Sequence, residues 1–152
     1  MPTAHHVTGA TLGATRDNGR AMSQDNVETV QRAAAAFSEG DIEAVSQFLD
    51  PDVVFSEPPE QPGATTFYGL RDVLAGFGRW SETWTSQRSE VERVIDTDDT
   101  VVILTRETLV GRDGIQVEQP CGTVFVLRNG KIVSFASYWD QSKALEALGL
   151  RE

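Results

Sequence analysis

Arg106 is the first residue whose type and setting ask for a chemical explanation. Strict alternation along 100–110 places Val102, Leu104, Arg106, Thr108 and Val110 on one face of a strand, so a guanidinium stands in an otherwise largely apolar row. A charge in such a row needs a partner. Glu57 is the candidate: it ends the short β-prone run Val53-Val54-Phe55 and is followed by Pro58, and a Glu57–Arg106 pair lining a pocket is expected. Used as chemistry, Glu57 would move a proton next to a carbonyl while Arg106, with Thr108 or Ser137, holds the developing oxyanion. The competing expectation is structural: a buried ion pair that orients the sheet, or Arg106 facing a dimer interface.

Several other chemistries are excluded by residue type. Both histidines, His5 and His6, lie in the N-terminal stretch MPTAHHVTGATLGATRDNGRA, which has few large apolar residues and is expected to be disordered up to about Met22. From Met22 onward there is no imidazole for a nucleophile–base pair or for a metal site. The single cysteine, Cys121, rules out an internal disulfide and a cysteine zinc site, and with no histidine or second cysteine to activate it, it reads as an inert strand residue. With 13 basic against 23 acidic residues the chain carries a formal charge of −10, which disfavours nucleic acid and anionic membranes as partners. The N-terminal stretch lacks the apolar run of a secretory signal, and no window approaches the roughly 18 apolar residues of a membrane span. A soluble cytoplasmic protein is expected, with no metal or organic cofactor.

The remaining polar and aromatic candidates each have a plainer reading. Asp140 is more simply a helix N-cap than a catalytic acid. Tyr68, before Gly69 at a loop-to-helix junction, either donates into a pocket mouth or packs. Trp80 and Trp84 lie one turn apart and belong to a core or a ligand cage. Glu90, Glu92 and Arg93 read as a solvated strand face.

The elements that must position these side chains follow from periodicity. Val27, Val30, Ala33, Ala34 and Phe37 mark one face of a helix from Gln24 to Glu39, closed by Gly40. Asp41 caps a second short helix carrying Ile42, Val45, Phe48 and Leu49, stopped by Asp50-Pro51. After the strand at Val53-Val54-Phe55 comes a Pro-rich loop, Pro58 to Gly63. A third amphipathic helix follows over Leu70–Trp84, its Gly76 and Gly78 suited to close packing. Strands near 88–95, 100–110, 115–127 and 131–139 are separated by Asp98-Asp99, Asp113-Gly114 and Asn129-Gly130, the turn chemistry of consecutive hairpins. A short helix over 143–148 ends the domain. This is an α+β order, with helices gathered on one face of a bent antiparallel sheet. The central strands are apolar on both faces, so a helix or a second subunit must cover the other side, and a homodimer is expected.

Gly40-Asp41-Ile42-Glu43-Ala44, Phe55-Ser56-Glu57-Pro58, Phe67-Tyr68-Gly69, Asn129-Gly130-Lys131-Ile132-Val133 and Ser137-Tyr138-Trp139-Asp140, taken in that order, resemble the SnoaL-like, or nuclear transport factor 2-like, superfamily over roughly 24–150. The resemblance implies a conical barrel, a curved mostly antiparallel sheet on three N-terminal helices, with an apolar internal pocket. Its members include ketosteroid isomerases, limonene-epoxide hydrolases and polyketide cyclases. Glu57-Pro58 matches the isomerase proton-shuttling base, but the oxyanion donors of that enzyme align with Ala33 and Gly122, neither of which can donate from a side chain. Trp139 resembles a pocket-lining aromatic of the isomerases. Arg106 matches the epoxide-hydrolase arginine, whereas its two aspartates align with Thr108 and Ser137, its tyrosine with Phe55 and its asparagine with Glu57. Neither mechanism is carried over whole.

The expectation is therefore a single domain, 23–152, that binds a small apolar organic molecule, with Glu57 and Arg106 as the catalytic candidates of a cofactor-independent isomerase, cyclase or dehydratase. The alternative is a non-catalytic ligand-binding or dimeric interaction module of the same fold. Phe55, Tyr68, Trp80, Phe135 and Trp139 are the expected aromatic lining. Leu104, Thr108, Gly122, Val124 and Ser137 are the expected strand lining.

Overall fold

The computed structural model describes residues 18–149. Helix α1 spans Asn18–Ser38, α2 Ile42–Ser46, and strand β1 Leu49–Ser56. They are followed by β2 (Thr66–Tyr68), α3 (Leu70–Thr83), β3 (Trp84–Thr97), β4 (Thr100–Gly111), β5 (Gln116–Arg128), β6 (Lys131–Tyr138) and α4 (Gln141–Glu146). The N-terminal stretch expected to lack structure, with His5 and His6, lies outside the described residues as far as position 17; α1 is already formed at Asn18.

The six strands form one sheet in the order β2-β1-β6-β5-β4-β3. Only β1 and β6 run parallel. The sheet is curved but open, with β2 and β3 as its edges, so the cone is completed by helices rather than by strand closure.

Local chemistry accounts for the joints. Gly40 takes φ +77° and lets the Asp41 N–H reach back to the Ala36 carbonyl at 2.9 Å, which terminates α1. The Asp41 carboxylate then accepts from Ala44 N–H at 3.1 Å and starts α2. That helix ends at Ser46, before Asp50-Pro51. Leu49, expected on a helix, instead opens β1 and pairs with Ile132 of β6. The ladder is interrupted between Leu49 and Val54, where Pro51 has no N–H to give it. Asn129 and Gly130 sit at φ +54° and +78°, the left-handed pair a two-residue hairpin needs. Strand β2 was hidden in what reads as loop, because three residues are too few to show a period; its Phe67 is buried and stacks on Phe55 at 5.9 Å.

Two apolar clusters hold the layers together. In the larger, Val27, Val30 and Ala33 of α1 and Val73 and Phe77 of α3 pack on Val101, Ile103 and Ile132 of the concave face. Gly76 belongs to this contact, since a Cβ there would lie 3.1–3.3 Å from the Phe67 ring, while Gly78 faces open space. In the smaller cluster, Val102, Leu104 and Val124 of the convex face are covered by Ala144 and Leu145 of α4. The expectation that the helices gather on one face is thus corrected: α4 packs on the other. The apolar convex row, which called for either a helix or a second subunit, has its cover in α4. Gly122 is where this helix comes closest: a Cβ there would stand 2.7 Å from the Ala144 Cβ.

Candidate functional site

The concave face, α1 and α3 enclose a cavity of about 240 Å³. Its inner end is a phenylalanine wall. Phe135 stacks on Phe55 at 4.5 Å and on Phe125 at 5.8 Å, and Phe77 meets Phe37 edge-on at 5.1 Å.

The cavity's polar groups centre on Glu107. Strand β4 directs Val101, Ile103, Thr105, Glu107 and Leu109 inward, and the last four of these line the cavity. The Glu107 Oε1 accepts from Gln87 Nε2 at 3.1 Å and from Ser89 Oγ at 2.6 Å, while Oε2 accepts from Thr105 Oγ1 at 2.7 Å. Gln87 is itself oriented, because the Trp80 indole N–H can only donate and does so to Gln87 Oε1 at 2.8 Å. Antiparallel pairing sets Gln87 opposite Leu109 and Ser89 opposite Glu107, so the sheet register brings these groups together. Thr123 Oγ1 and Ser137 Oγ lie 3.2 Å apart on the neighbouring strands.

The Pro-rich loop closes the mouth, and Pro58, Gln61 and Trp139 border the cavity there. Two carboxylates fasten it. Glu57 donates its N–H to the Thr65 carbonyl and accepts the Thr65 N–H on Oε1, both at 3.0 Å. Glu60 accepts from the N–H groups of Trp139 at 3.1 Å and Asp140 at 3.3 Å and lies 3.5 Å from Lys143 Nζ. Asp140 is the N-cap of α4, accepting from Ser142 N–H at 3.0 Å.

Burial is the largest single influence on Glu60 and pushes its carboxyl up, but the backbone amides and the Lys143 charge together outweigh it and hold the carboxyl below its ordinary value. A carboxylate with a depressed folded-state pKa contributes stability above the unfolded-chain value, roughly pH 4.3, and loses it as pH falls through the folded value. The stability difference between wild type and Glu60→Gln is therefore expected to be constant above about pH 5 and to shrink below about pH 4.3, as read from urea midpoints across pH.

Of the residues expected at the site, Glu57, Phe55, Trp80, Phe135, Ser137 and Trp139 border the cavity. The others do not. Leu104, Arg106, Thr108, Gly122 and Val124 belong to the convex rows of β4 and β5, where Leu104 and Val124 pack beneath α4 and Gly122 meets Ala144. Tyr68, on the edge strand β2, is 68% exposed. The expected Glu57–Arg106 pair does not form. The Arg106 Nε lies 3.6 Å from Glu92 Oε2, with both side chains nearly half exposed.

The reason is strand parity. Both rows of β4 begin apolar, and alternation alone does not say which of them the helices cover. At the position matched to the isomerase aspartate, Gly122 likewise faces outward, and Cys121 and Thr123 are the inward residues of β5. Arg106→Ala is expected to change stability by no more than about 0.5 kcal/mol, the usual worth of an exposed ion pair, in a chemical denaturation titration.

Sequence reasoning missed Glu107, Thr105, Gln87, Ser89 and Gln31. The signal that was available is the other β4 row, Thr105-x-Glu107, as anomalous among apolar neighbours as Arg106. Cys121 lines the cavity, and burial first, then the Glu107 charge, pushes its thiol up from 9.0 to about 11. At that value the native thiolate fraction is about 100-fold below that of the unfolded chain near neutral pH. Disulfide-reagent labelling is expected to be slower in the native protein by at least that factor.

The curved α+β sheet with an internal cavity, closed by helices, is the architecture of the SnoaL-like proteins. The model of the SnoaL-like domain matches residues 30–135, and the chain belongs to that family. Solved structures agree in fold. A putative SnoaL-like polyketide cyclase from Jannaschia sp. superposes with a TM-score of 0.71 at 21% identity, covering 92% of this chain and 100% of that one. An NTF2-like protein of unknown function from Burkholderia pseudomallei gives 0.71 at 22% identity over 80% and 95% of the two chains. TerC, co-crystallised with polyporic acid, gives 0.70 at 19% identity over 83% and 99%. No curated protein sequence matches the chain. Among the described residues, no helix is long and apolar enough to cross a membrane.

Proposed function

We propose that this SnoaL-like protein binds a compact, ring-containing, largely apolar organic molecule, with its apolar body on the phenylalanine wall and a polar group at Glu107. The observation that carries this reading is the cavity itself: five phenylalanines at one end and an ordered carboxylate facing them from β4. Ligand pockets commonly run from about 300 to 1,000 Å³, so a volume of about 240 Å³ suits one or two rings rather than a steroid. Among the described residues no Lys or Arg lines the cavity, whereas two carboxylates do, which favours a neutral ligand over an anion. TerC's co-crystal partner, polyporic acid, is a precedent in this fold for a bound organic molecule.

The test is a thermal-shift and calorimetric screen of one- and two-ring phenols, ketones and quinones against wild type and the cavity-filling variant Ala34→Leu. A ligand at about 100 times its Kd stabilises by roughly 2.7 kcal/mol, and this shift is expected in wild type and weakened in the variant. Absence of any stabilising compound, or hits that bind both proteins equally, would overturn the reading.

A catalytic second reading is favoured by two carboxylates, Glu57 and Glu107, bordering one cavity, and by the fold's match to a putative polyketide cyclase. In it, Glu57 moves a proton next to the ligand's carbonyl, in a cofactor-independent isomerisation, cyclisation or dehydration. Turnover of a bound compound by wild type, abolished in Glu57→Gln with binding retained, is the expected result. Binding without product in either protein would leave a carrier or sensor.

A further inference from the structure

We propose that the cavity takes an organic cation: a compact ring system carrying a protonated aliphatic amine, whose ammonium donates to the Glu107 carboxylate. This rests on the binding function proposed above and names the ligand class within it.

Glu107 borders the cavity and is only half-buried, whereas Thr105 and Leu109, its neighbours in the inward row of β4, are buried. It therefore keeps surface that a ligand can reach. Its hydrogen-bond partners Gln87, Ser89 and Thr105 are all neutral. Among the described residues, the cavity lining holds a second carboxylate, Glu57, and no Lys or Arg. A carboxylate withdrawn from water among neutral donors lacks the opposite charge that would offset its lost hydration.

The network around Glu107 is suited to receive that charge. An ion pair out of water is favourable only where its geometry is fixed and further hydrogen bonds satisfy the remaining lone pairs. Three donors already do this for Glu107, so pairing orders no loose side chain. Oε2 accepts one bond where Oε1 accepts two, and a carboxylate has room for about four. An ammonium brings both a donor and a positive charge to that position. A hydroxyl brings the donor alone, a carbonyl sets acceptor against acceptor, and a carboxylate adds a like charge. The aromatic lining agrees with this choice, because the faces of rings such as Trp80, Phe55 and Phe135 attract a cation, whereas an aliphatic wall does not.

Three bicyclic probes of nearly equal size separate the contributions: tetralin with no polar group, tetrahydronaphthol with a hydroxyl, and 2-aminotetralin with an amine that is protonated at neutral pH. The chain carries a formal charge of −10, so the titrations are run at physiological ionic strength, where exposed charges more than about 8 Å away are largely screened. Calorimetric Kd values for wild type are expected to fall from tetralin to tetrahydronaphthol to 2-aminotetralin. The amine should be preferred over tetralin by roughly tenfold to a hundredfold, as for one hydrogen bond to a charged group. Glu107→Gln keeps the side chain's size and removes its charge. It should abolish the preference of 2-aminotetralin over tetrahydronaphthol while leaving the Kd of tetralin unchanged, which also shows that the variant is folded. Tetrahydronaphthol binding wild type as tightly as 2-aminotetralin would overturn the cation and leave the binding function standing, a result that needs no variant. An amine preference that survives Glu107→Gln would place the ammonium elsewhere and overturn the role of Glu107. Failure of all three probes to bind wild type would instead overturn the binding function and this inference with it.

Discussion

Phe135→Ala is expected to be the most destabilising single truncation in the site, at about 3 kcal/mol by urea titration, with the wild-type m-value retained. Phenylalanine-to-alanine changes in cores cost about 3–5 kcal/mol, combining lost burial with the cavity left behind. Phe135 is the hub of the wall: it stacks on Phe55 and Phe125 and leans on Phe77 at 6.1 Å. It is only half-buried because it borders the cavity, which places the loss at the low end of that range. The same substitution enlarges the cavity at its apolar end, so larger ring systems should gain affinity while the small probes lose it. A loss below about 1 kcal/mol would mean that the wall is loosely packed and that the ring cluster does not define the ligand's shape.

Glu107→Leu is expected to cost about 2–4 kcal/mol, because it removes the common acceptor of Gln87, Ser89 and Thr105 and strands donors that line a largely enclosed space. Glu107→Gln separates this loss from charge. The substituted amide keeps an oxygen for the Gln87 N–H, and the Thr105 hydroxyl can rotate to accept from its new nitrogen, so a cost near 1 kcal/mol is expected. Denaturation midpoints of the two variants, with a hydroxyl-bearing probe titrated against each, check both parts. Equal stability of Glu107→Leu and wild type would show that the network is solvated and that Glu107 does not organise the cavity.

Much of this protein was legible along the chain. Helical spacing in Val27, Val30, Ala33 and Phe37 and in Val73 and Phe77 located the two helices that cover the cavity, since a 3.6-residue period is local and needs no partner to be seen. Asp41 and Asp140 were readable as caps, and Asn129-Gly130 as a hairpin, for the same reason: each acts on backbone groups within a few residues. The string that carries Glu57-Pro58 placed that glutamate at a strand end, where it borders the cavity and clasps Thr65.

What only the tertiary structure decided is which face of β4 is the inside. A strand alternates with a period of two whichever way it faces, and Val101 and Ile103 are as apolar as Val102 and Leu104. The face is set by what packs on it: α1 and α3 on one side, and α4, which arrives more than thirty residues later in the chain, on the other. That one choice moves Arg106, Thr108, Gly122 and Val124 out of the site and brings in Thr105, Glu107, Cys121 and Thr123. The network around Glu107 was invisible for a related reason, since Trp80, Gln87, Ser89 and Glu107 meet only through the β3–β4 register and the packing of α3. Residue types and local periods are written in the sequence, whereas the direction in which a strand turns its chemistry is a property of the layers that enclose it.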